Sequence, residues 1–128
     1  AAPGAASFSL RATAFVRVVG GQRCSPAEFV EAFGQCDAVH AVAGIGNPAR
    51  FFATLSALGL SVDEHAFSDH HPYGASDIDF TDGRPVVMTE KDAVKCRAFA
   101  DERHWFVAVD AQLPTSFLEH LRRSLSQR

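Results

Sequence analysis

The chain has 128 residues, 47% of them apolar, and a formal net charge of −3 with no block of like charge. That length suits one domain with a substantial core, and the apolar content argues against disorder. The absence of a basic stripe removes the electrostatic ground for nucleic-acid binding.

Three cysteines, Cys24, Cys36 and Cys96, carry no CxxC spacing. They argue against a zinc ribbon and a disulfide framework, and fit a reducing cytosol. No apolar run approaches the roughly 20 residues of a membrane-spanning helix. The start, Ala1-Ala2-Pro3-Gly4-Ala5-Ala6, has no basic segment and no long apolar segment, so it does not read as a signal peptide. It lacks a Met and reads as a cut inside a longer protein.

Residues 1–7 read as a tail. From Phe8 to Val19 the chain alternates with period two, which predicts a strand. Gly20-Gly21 breaks it. A lone ribbon is poorly stable, so this one is expected to reach toward a neighbouring domain. The expected division is a tail and inter-domain β-ribbon over 1–21 and a Rossmann-like domain over 22–128. Ser25-Pro26 opens a helix with Ser25 as N-cap and Glu28 at N3, and Gly34 stops it. Ala38 to Ala43 is a short apolar run suited to a buried parallel strand. Gly44-Ile45-Gly46 turns the chain, Asn47 is expected to cap the next helix, and Pro48 takes N1. Phe51, Phe52, Leu55 and Leu58 form that helix's stripe, and Gly59 ends it. A second strand is expected over Leu60 to Phe67, then a polar loop with a short helix around 75–80. A third strand runs from Pro85 to Thr89, a helix from Glu90 to Ala100 and a fourth strand from Trp105 to Val109. A last helix begins at Pro114-Thr115. Alternating strands and helices predict an α/β fold: a small parallel sheet of about four to five strands with helices on both faces, plus the N-terminal β-ribbon. The turns that leave its strand ends should share one edge, where ligands bind in such sheets.

Three segments put polar groups at that edge. Gly44-x-Gly46 before a helix is part of a dinucleotide signature, but the third glycine is Ala49, Pro48 removes a donor, and no acid closes a second strand in place. A tight turn accounts for the glycines. Asp69-His70-His71 is the densest titratable cluster. It is a weak metal site, because adjacent side chains point apart and zinc wants more ligands. One imidazole beside an acid suits a general base or orienting group; a solvated surface loop is the other reading. In Thr89-Glu90-Lys91-Asp92, Thr89 is a natural N-cap and the two acids suit a helix start. Lys91 opposes the helix dipole there and calls for an anionic ligand or an ion pair with an acid such as Asp69. His40, inside an apolar run, reads as a core histidine with a hydrogen-bond partner. His65 and His104 need no special role, and Cys96 reads as inert. A P-loop, GxxxxGK(S/T), is absent, as is a GxSxG element. Arg122-Arg123 with Arg128 reads as a solvated helix end.

Several runs together resemble the C-terminal part of the tetraacyldisaccharide 4′-kinase family of Gram-negative bacteria. They are Ala43-Gly44-Ile45-Gly46-Asn47-Pro48 with Arg50-Phe51-Phe52 and Leu55; Phe67, Asp69-His70-His71 and Tyr73; and Met88-Thr89-Glu90-Lys91-Asp92-Ala93-Val94-Lys95-Cys96. The resemblance covers roughly residues 8 to 125. It implies a lipid kinase that moves the ATP γ-phosphate to the 4′-hydroxyl of a tetraacyldisaccharide 1-phosphate in lipid A biosynthesis. ATP and Mg²⁺ would be held mainly by an N-terminal P-loop domain, with none bound by this segment, which would be inactive alone. His70, with Asp69 in support, takes the catalytic position, closing over the reaction centre and pairing with an Asp of the N-terminal domain. Asn47, Thr89 and Lys91 fall near nucleotide or substrate, or act in closure. The implied partners are that N-terminal domain and the glycolipid, and the implied place is the cytoplasmic face of the inner membrane. The residues alone leave another reading open: a free-standing nucleotide- or metabolite-binding module.

Overall fold

The computed structural model describes residues 9–35 and 38–112. The expected tail, Cys36 and the last helix with its arginines lie outside these residues. Along the chain run β1 (Ser9–Arg17), β2 (Arg23–Cys24), α1 (Pro26–Phe33), β3 (Val39–Ala43), α2 (Pro48–Ala57), β4 (Val62–Ala66), α3 (Ala75–Ile78), β5 (Val86–Thr89), α4 (Glu90–Cys96) and β6 (His104–Gln112).

The strands form one sheet in the order β2-β1-β6-β5-β3-β4. β3 pairs in parallel with β4 and β5, and β5 with β6. All four parallel strands therefore end on one edge. These are the four that alternation with helices predicts. Every residue of β3 is buried, as its unbroken apolar run requires of a strand covered on both faces. β4 lies at the sheet's margin, where Asp63 and Glu64 remain exposed and discourage pairing with another chain.

Alternate residues of each strand feed two cores. On one face Val39, Ala41, Ala43, Val87, Trp105 and Val107 pack under Phe29 of α1 and Phe51, Phe52 and Leu55 of α2. Phe29 stacks on Phe15 at 4.0 Å and meets Trp105 edge-on at 5.2 Å. On the other face Val42, Val86 and Met88 pack under Ile78 of α3 and Ala93 and Cys96 of α4. The start of α1 is the expected capping box: Glu28 N–H donates to Ser25 Oγ at 3.1 Å, and Ser25 N–H donates to Glu28 Oε1 at 2.8 Å. Gly59 takes φ +100 after α2, a conformation that suits glycine.

Two elements differ from expectation. α4 stops at Cys96 rather than near Ala100, because Phe99 N–H turns back to the Cys96 carbonyl at 3.1 Å and its ring packs into the second core. The Gly20-Gly21 break is a hairpin: both glycines have positive φ, and Arg17 N–H donates to the Gln22 carbonyl at 2.8 Å, which brings β2 beside β1.

The N-terminal strand serves two ends. Its second half is a sheet strand, with Phe15 against Val107 and Cys24. Its first half pairs only with β6, from Ala12↔Val109 out to Ser9↔Gln112. β5 stops at Thr89 opposite Val107, so β1 and β6 run on past the carboxyl edge as a two-stranded ribbon. A bulge lies at its base, where the register shifts between Ala12 and Ala14. Thr13, the extra residue, donates its hydroxyl to the Ala108 carbonyl at 3.1 Å.

Candidate active site

Three loops meet at the carboxyl edge: the turn after β3, the Phe67–Tyr73 loop after β4, and the start of α4. Asp92 joins the first and third. Its side chain is fully buried. One oxygen, Oδ2, accepts from the Gly44 amide at 3.0 Å and from the Thr89 hydroxyl. Thr89 Oγ1 in turn accepts from Asp92 N–H at 3.1 Å. The expected N-cap at Thr89 is therefore present, with its hydroxyl committed to Asp92.

The second loop is seated on the first. A Cβ at Gly44 would lie 2.6 Å from the Tyr73 hydroxyl, 3.2 Å from the Ser68 carbonyl and 3.3 Å from Asp92 Oδ1. Glycine at 44 is required by this close approach. The Tyr73 hydroxyl and Asp92 Oδ1 are both buried without a hydrogen bond. Burial, and then the neighbouring Asp92 carboxylate, push the Tyr73 phenol well above its ordinary pKa, so this phenol remains protonated. Phe67 stacks on His71 at 4.6 Å, and His71 meets Tyr73 edge-on at 4.8 Å. His71 Nε2 also contacts Asp77 Oδ2 at 3.1 Å.

His70 is the group this loop leaves outside. Its side chain is 83% exposed, while that of the adjacent His71 is mostly covered. His70 has φ +64, uncommon for a residue with a Cβ. Its amide donates to Asp69 Oδ1 at 3.1 Å, and the same oxygen takes the Lys91 ammonium at 3.0 Å. The Lys91 hydrogen bond holds the Asp69 carboxyl below the ordinary carboxylate range. Of the two reasons for a lysine at this helix start, the structure displays the ion pair.

Asn47 departs from expectation. It is at the N-cap position of α2 and is exposed, yet makes no side-chain capping bond. Its ψ is 75°, whereas the two working caps, Ser25 and Thr89, have ψ of 159° and 157°. The extended backbone at Ser25 and Thr89 aims the side-chain oxygen back at the helix amides; that at Asn47 does not. Asn47 shares the edge with Thr89, Lys91 and His70, and is hydrogen-bonded to none of them.

On the face of α2, a cleft of about 220 Å³ opens between Ile45, Phe51, Thr89, Lys91, Val107 and Val109. A cavity of about 410 Å³ at the opposite, amino edge is lined by Arg17, Arg84, Arg103 and Trp105. Two of its cations are paired, Arg84 with Asp63 and Asp82 and Arg103 with Asp79 and Asp101, while Arg17 lies over the Trp105 ring at 4.9 Å with its Nε buried and without a hydrogen-bond partner. The carboxyl edge is thus the stronger candidate. Among the described residues no group of three or more His, Cys, Asp or Glu could hold a metal ion. Burial, the largest cause, pushes the Cys96 thiol up to about 11, so it is inert as expected.

Sequence reasoning missed Asp92 and Tyr73 as the parts that join the loops. Asp92 has a sufficient local explanation in the helix dipole, and nothing local signals that Gly44 lies against it. His40 is buried with two partners, Asp82 Oδ2 at 2.7 Å and His65 Nε2 at 2.9 Å, so His65 does have a structural role. His104 is also a core group. Its Nδ1 accepts from Asp101 N–H at 2.9 Å, which leaves Nε2–H to donate to the Ile78 carbonyl at 2.8 Å.

A mostly parallel sheet with helices on both faces and polar loops gathered beyond the strand ends defines a Rossmann-like α/β domain. The sequence model of the tetraacyldisaccharide-1-P 4′-kinase family matches residues 5–126, and the chain belongs to that family. A tetraacyldisaccharide 4′-kinase of Alcanivorax borkumensis is 48% identical over 92% of this chain and 35% of its own length. One of Alkalilimnicola ehrlichii is 57% identical over 70% of this chain and 27% of its own. The chain thus spans about a third of the relatives it matches. Among solved structures, LpxK from Aquifex aeolicus, crystallised in complex with ATP, shares the fold with a TM-score of 0.61 at 21% identity, over 94% of this chain and 35% of that one.

Proposed function

We propose that this chain is the C-terminal lobe of an ATP-dependent kinase that phosphorylates the 4′-hydroxyl of a tetraacyldisaccharide 1-phosphate in lipid A biosynthesis. The observation that carries the reading is the outward-facing His70 imidazole, at the carboxyl edge of a Rossmann-like domain in a member of this family. The described residues offer neither a carboxylate cluster for Mg²⁺ nor a GxxxxGK(S/T) loop. On this reading both the nucleoside triphosphate and its metal are assigned to an N-terminal P-loop lobe, the implied partner. ATP bound there supplies the γ-phosphoryl group, and transfer then depends on positioning and charge stabilisation.

This lobe contributes an imidazole on a braced loop, able to orient the acceptor hydroxyl and take up its proton. Closure of the loop over the reaction centre excludes water. Asn47, with its exposed amide, and Lys91 lie on the approach to the same centre. The ribbon of β1 and β6 is the connection to the other lobe, which puts the inter-domain β-ribbon partly inside the sheet. Among the described residues no helix is long and apolar enough to cross a membrane; the reading places the enzyme peripherally on the cytoplasmic face of the inner membrane, where its glycolipid lies.

The test is phosphate transfer from labelled ATP to tetraacyldisaccharide 1-phosphate by the longer protein that contains this chain. His70→Ala should lower kcat about a hundredfold or more with the fold retained, and near-normal turnover would remove His70 from the reaction. The 128 residues alone should not turn over; activity without a second lobe would overturn the two-lobe reading.

A further inference from the structure

We infer that Lys91 is a positioning residue for His70 and acts through Asp69. The inference rests on the reaction role proposed above for His70. The geometry is a short chain of contacts. Lys91 Nζ lies 3.0 Å from Asp69 Oδ1, and that oxygen also accepts the His70 amide at 3.1 Å. The amide it holds belongs to a residue in the left-handed region, at φ +64. A residue with a Cβ persists there only when its surroundings over-determine it. The base of the loop is fixed independently, by Tyr73 against Gly44 and by the Phe67–His71–Tyr73 rings. Its tip is a turn closed by His71 N–H, which donates to the Ser68 carbonyl at 3.1 Å, and Asp69 adds the bond to the His70 amide inside that turn.

Two further observations agree. Lys91 is in the first turn of α4, where the helix dipole disfavours a cation, and Asp69 offsets that cost. The His70 ring itself is barely attached, with Nε2 3.9 Å from Asp69 Oδ2. Its direction is thus set by the backbone, and the backbone by the Ser68–His71 turn together with Asp69 and Lys91. The Lys91 ammonium faces this loop through Asp69 Oδ1 at 3.0 Å.

Lys91→Met keeps the stem and removes the charge. In the full enzyme it should lower kcat about tenfold to a hundredfold, as a slight misplacement of a reacting group does, while KM for ATP and for the lipid stays within about twofold. Lys91→Arg should restore most of the rate. Asp69→Asn in the Lys91→Met background should add little, because the two act in one chain. A raised KM with unchanged kcat, or additive losses, would instead make Lys91 a phosphate ligand and overturn the inference. In the 128-residue chain, Lys91→Met should also lose hydrogen-exchange protection at the His70 amide while β3 and β5 keep theirs; an unchanged His70 amide overturns the inference without any assay of activity. His70→Ala in the same preparations separates the two ideas. If it matches wild type, the reaction role of His70 fails; if it is dead and Lys91→Met is normal, this inference alone fails.

Discussion

The Gly44 amide donates to the Asp92 carboxylate at 3.0 Å across 48 residues of sequence. This bond ties the turn after β3 to the start of α4, and it is fully buried. Removing the carboxylate leaves a buried N–H and the Thr89 hydroxyl each without an acceptor. A bond to a charged group is worth more than a neutral one, and an orphaned buried donor adds its desolvation cost. Asp92→Ala should therefore destabilise the chain by about 3 kcal/mol. Asp92→Asn, which keeps an oxygen for Gly44, should cost less. Urea unfolding of the two variants measures the difference; equal losses would mean that the charge of Asp92, rather than an oxygen acceptor as such, holds the turn.

Two glycines two residues apart should respond differently to alanine. At Gly44 the new methyl meets the Tyr73 hydroxyl and the Ser68 backbone, so Gly44→Ala should cost about 2 kcal/mol, as overpacking does. At Gly46 it meets nothing within 4 Å and needs no unusual φ, so Gly46→Ala should leave stability unchanged. Tyr73→Phe removes the nearest clashing atom and a buried hydroxyl that has no hydrogen bond. It should recover part of the loss in a Gly44→Ala background, and a double-mutant cycle that returns simple additivity would refute the contact.

The buried histidine pair makes the fold sensitive to acid. Asp82 can only accept, so His40 Nε2 carries the proton between them, and His40 Nδ1 shares a hydrogen bond with His65 Nε2 at 2.9 Å. Burial, followed by the His40 neighbour, lowers the His65 pKa from its ordinary 6.5; Asp63, Asp82 and Arg84 also face it. Between the folded and unfolded values the unfolded chain binds more protons, so this contribution is complete above about pH 6.5 and is lost as pH falls through the folded value. Asp101, held near 2 mainly by the Arg103 guanidinium, acts in the same direction at lower pH. The melting temperature should fall between about pH 7.5 and about pH 5.5. His65→Gln, which keeps a hydrogen-bonding amide beside His40 without titrating, should flatten that part of the curve.

Phe29 is the key ring of the first core, fully buried between Phe15 and Trp105. Phe29→Ala should cost about 4 kcal/mol and Phe29→Leu clearly less. Tryptophan fluorescence reports the change directly, because Trp105 is the one tryptophan of the sequence.

The parts that sequence pattern made readable were those decided locally. Ser25-Pro26-x-Glu28 gave a complete helix start, and the Val-His-Ala-Val-Ala run of β3 gave a buried parallel strand. Lys91 is out of place against the helix dipole, and the ion pair with Asp69 is one of the two reasons that the sequence allows. What could not be read depends on distant partners or on backbone angles. Asn47 has the right side chain for a cap and the wrong ψ. Two residues of β2 are too few for periodicity to register. The first strand reads as a free ribbon because nothing in Ser9–Arg17 announces that β6 is long enough to hold it along its whole length. The joining role of Asp92 appears only when Gly44 is brought beside it.

The strands that leave the carboxyl edge are the same strands that line the core, so no slack tether intervenes between them. A bulge locally bends and twists the strand that contains it, and the one at Thr13 is placed where the pair emerges from the sheet. The paired strands leave the sheet as an arm whose elbow is a single residue, where Thr13 turns its hydroxyl onto the Ala108 carbonyl at 3.1 Å.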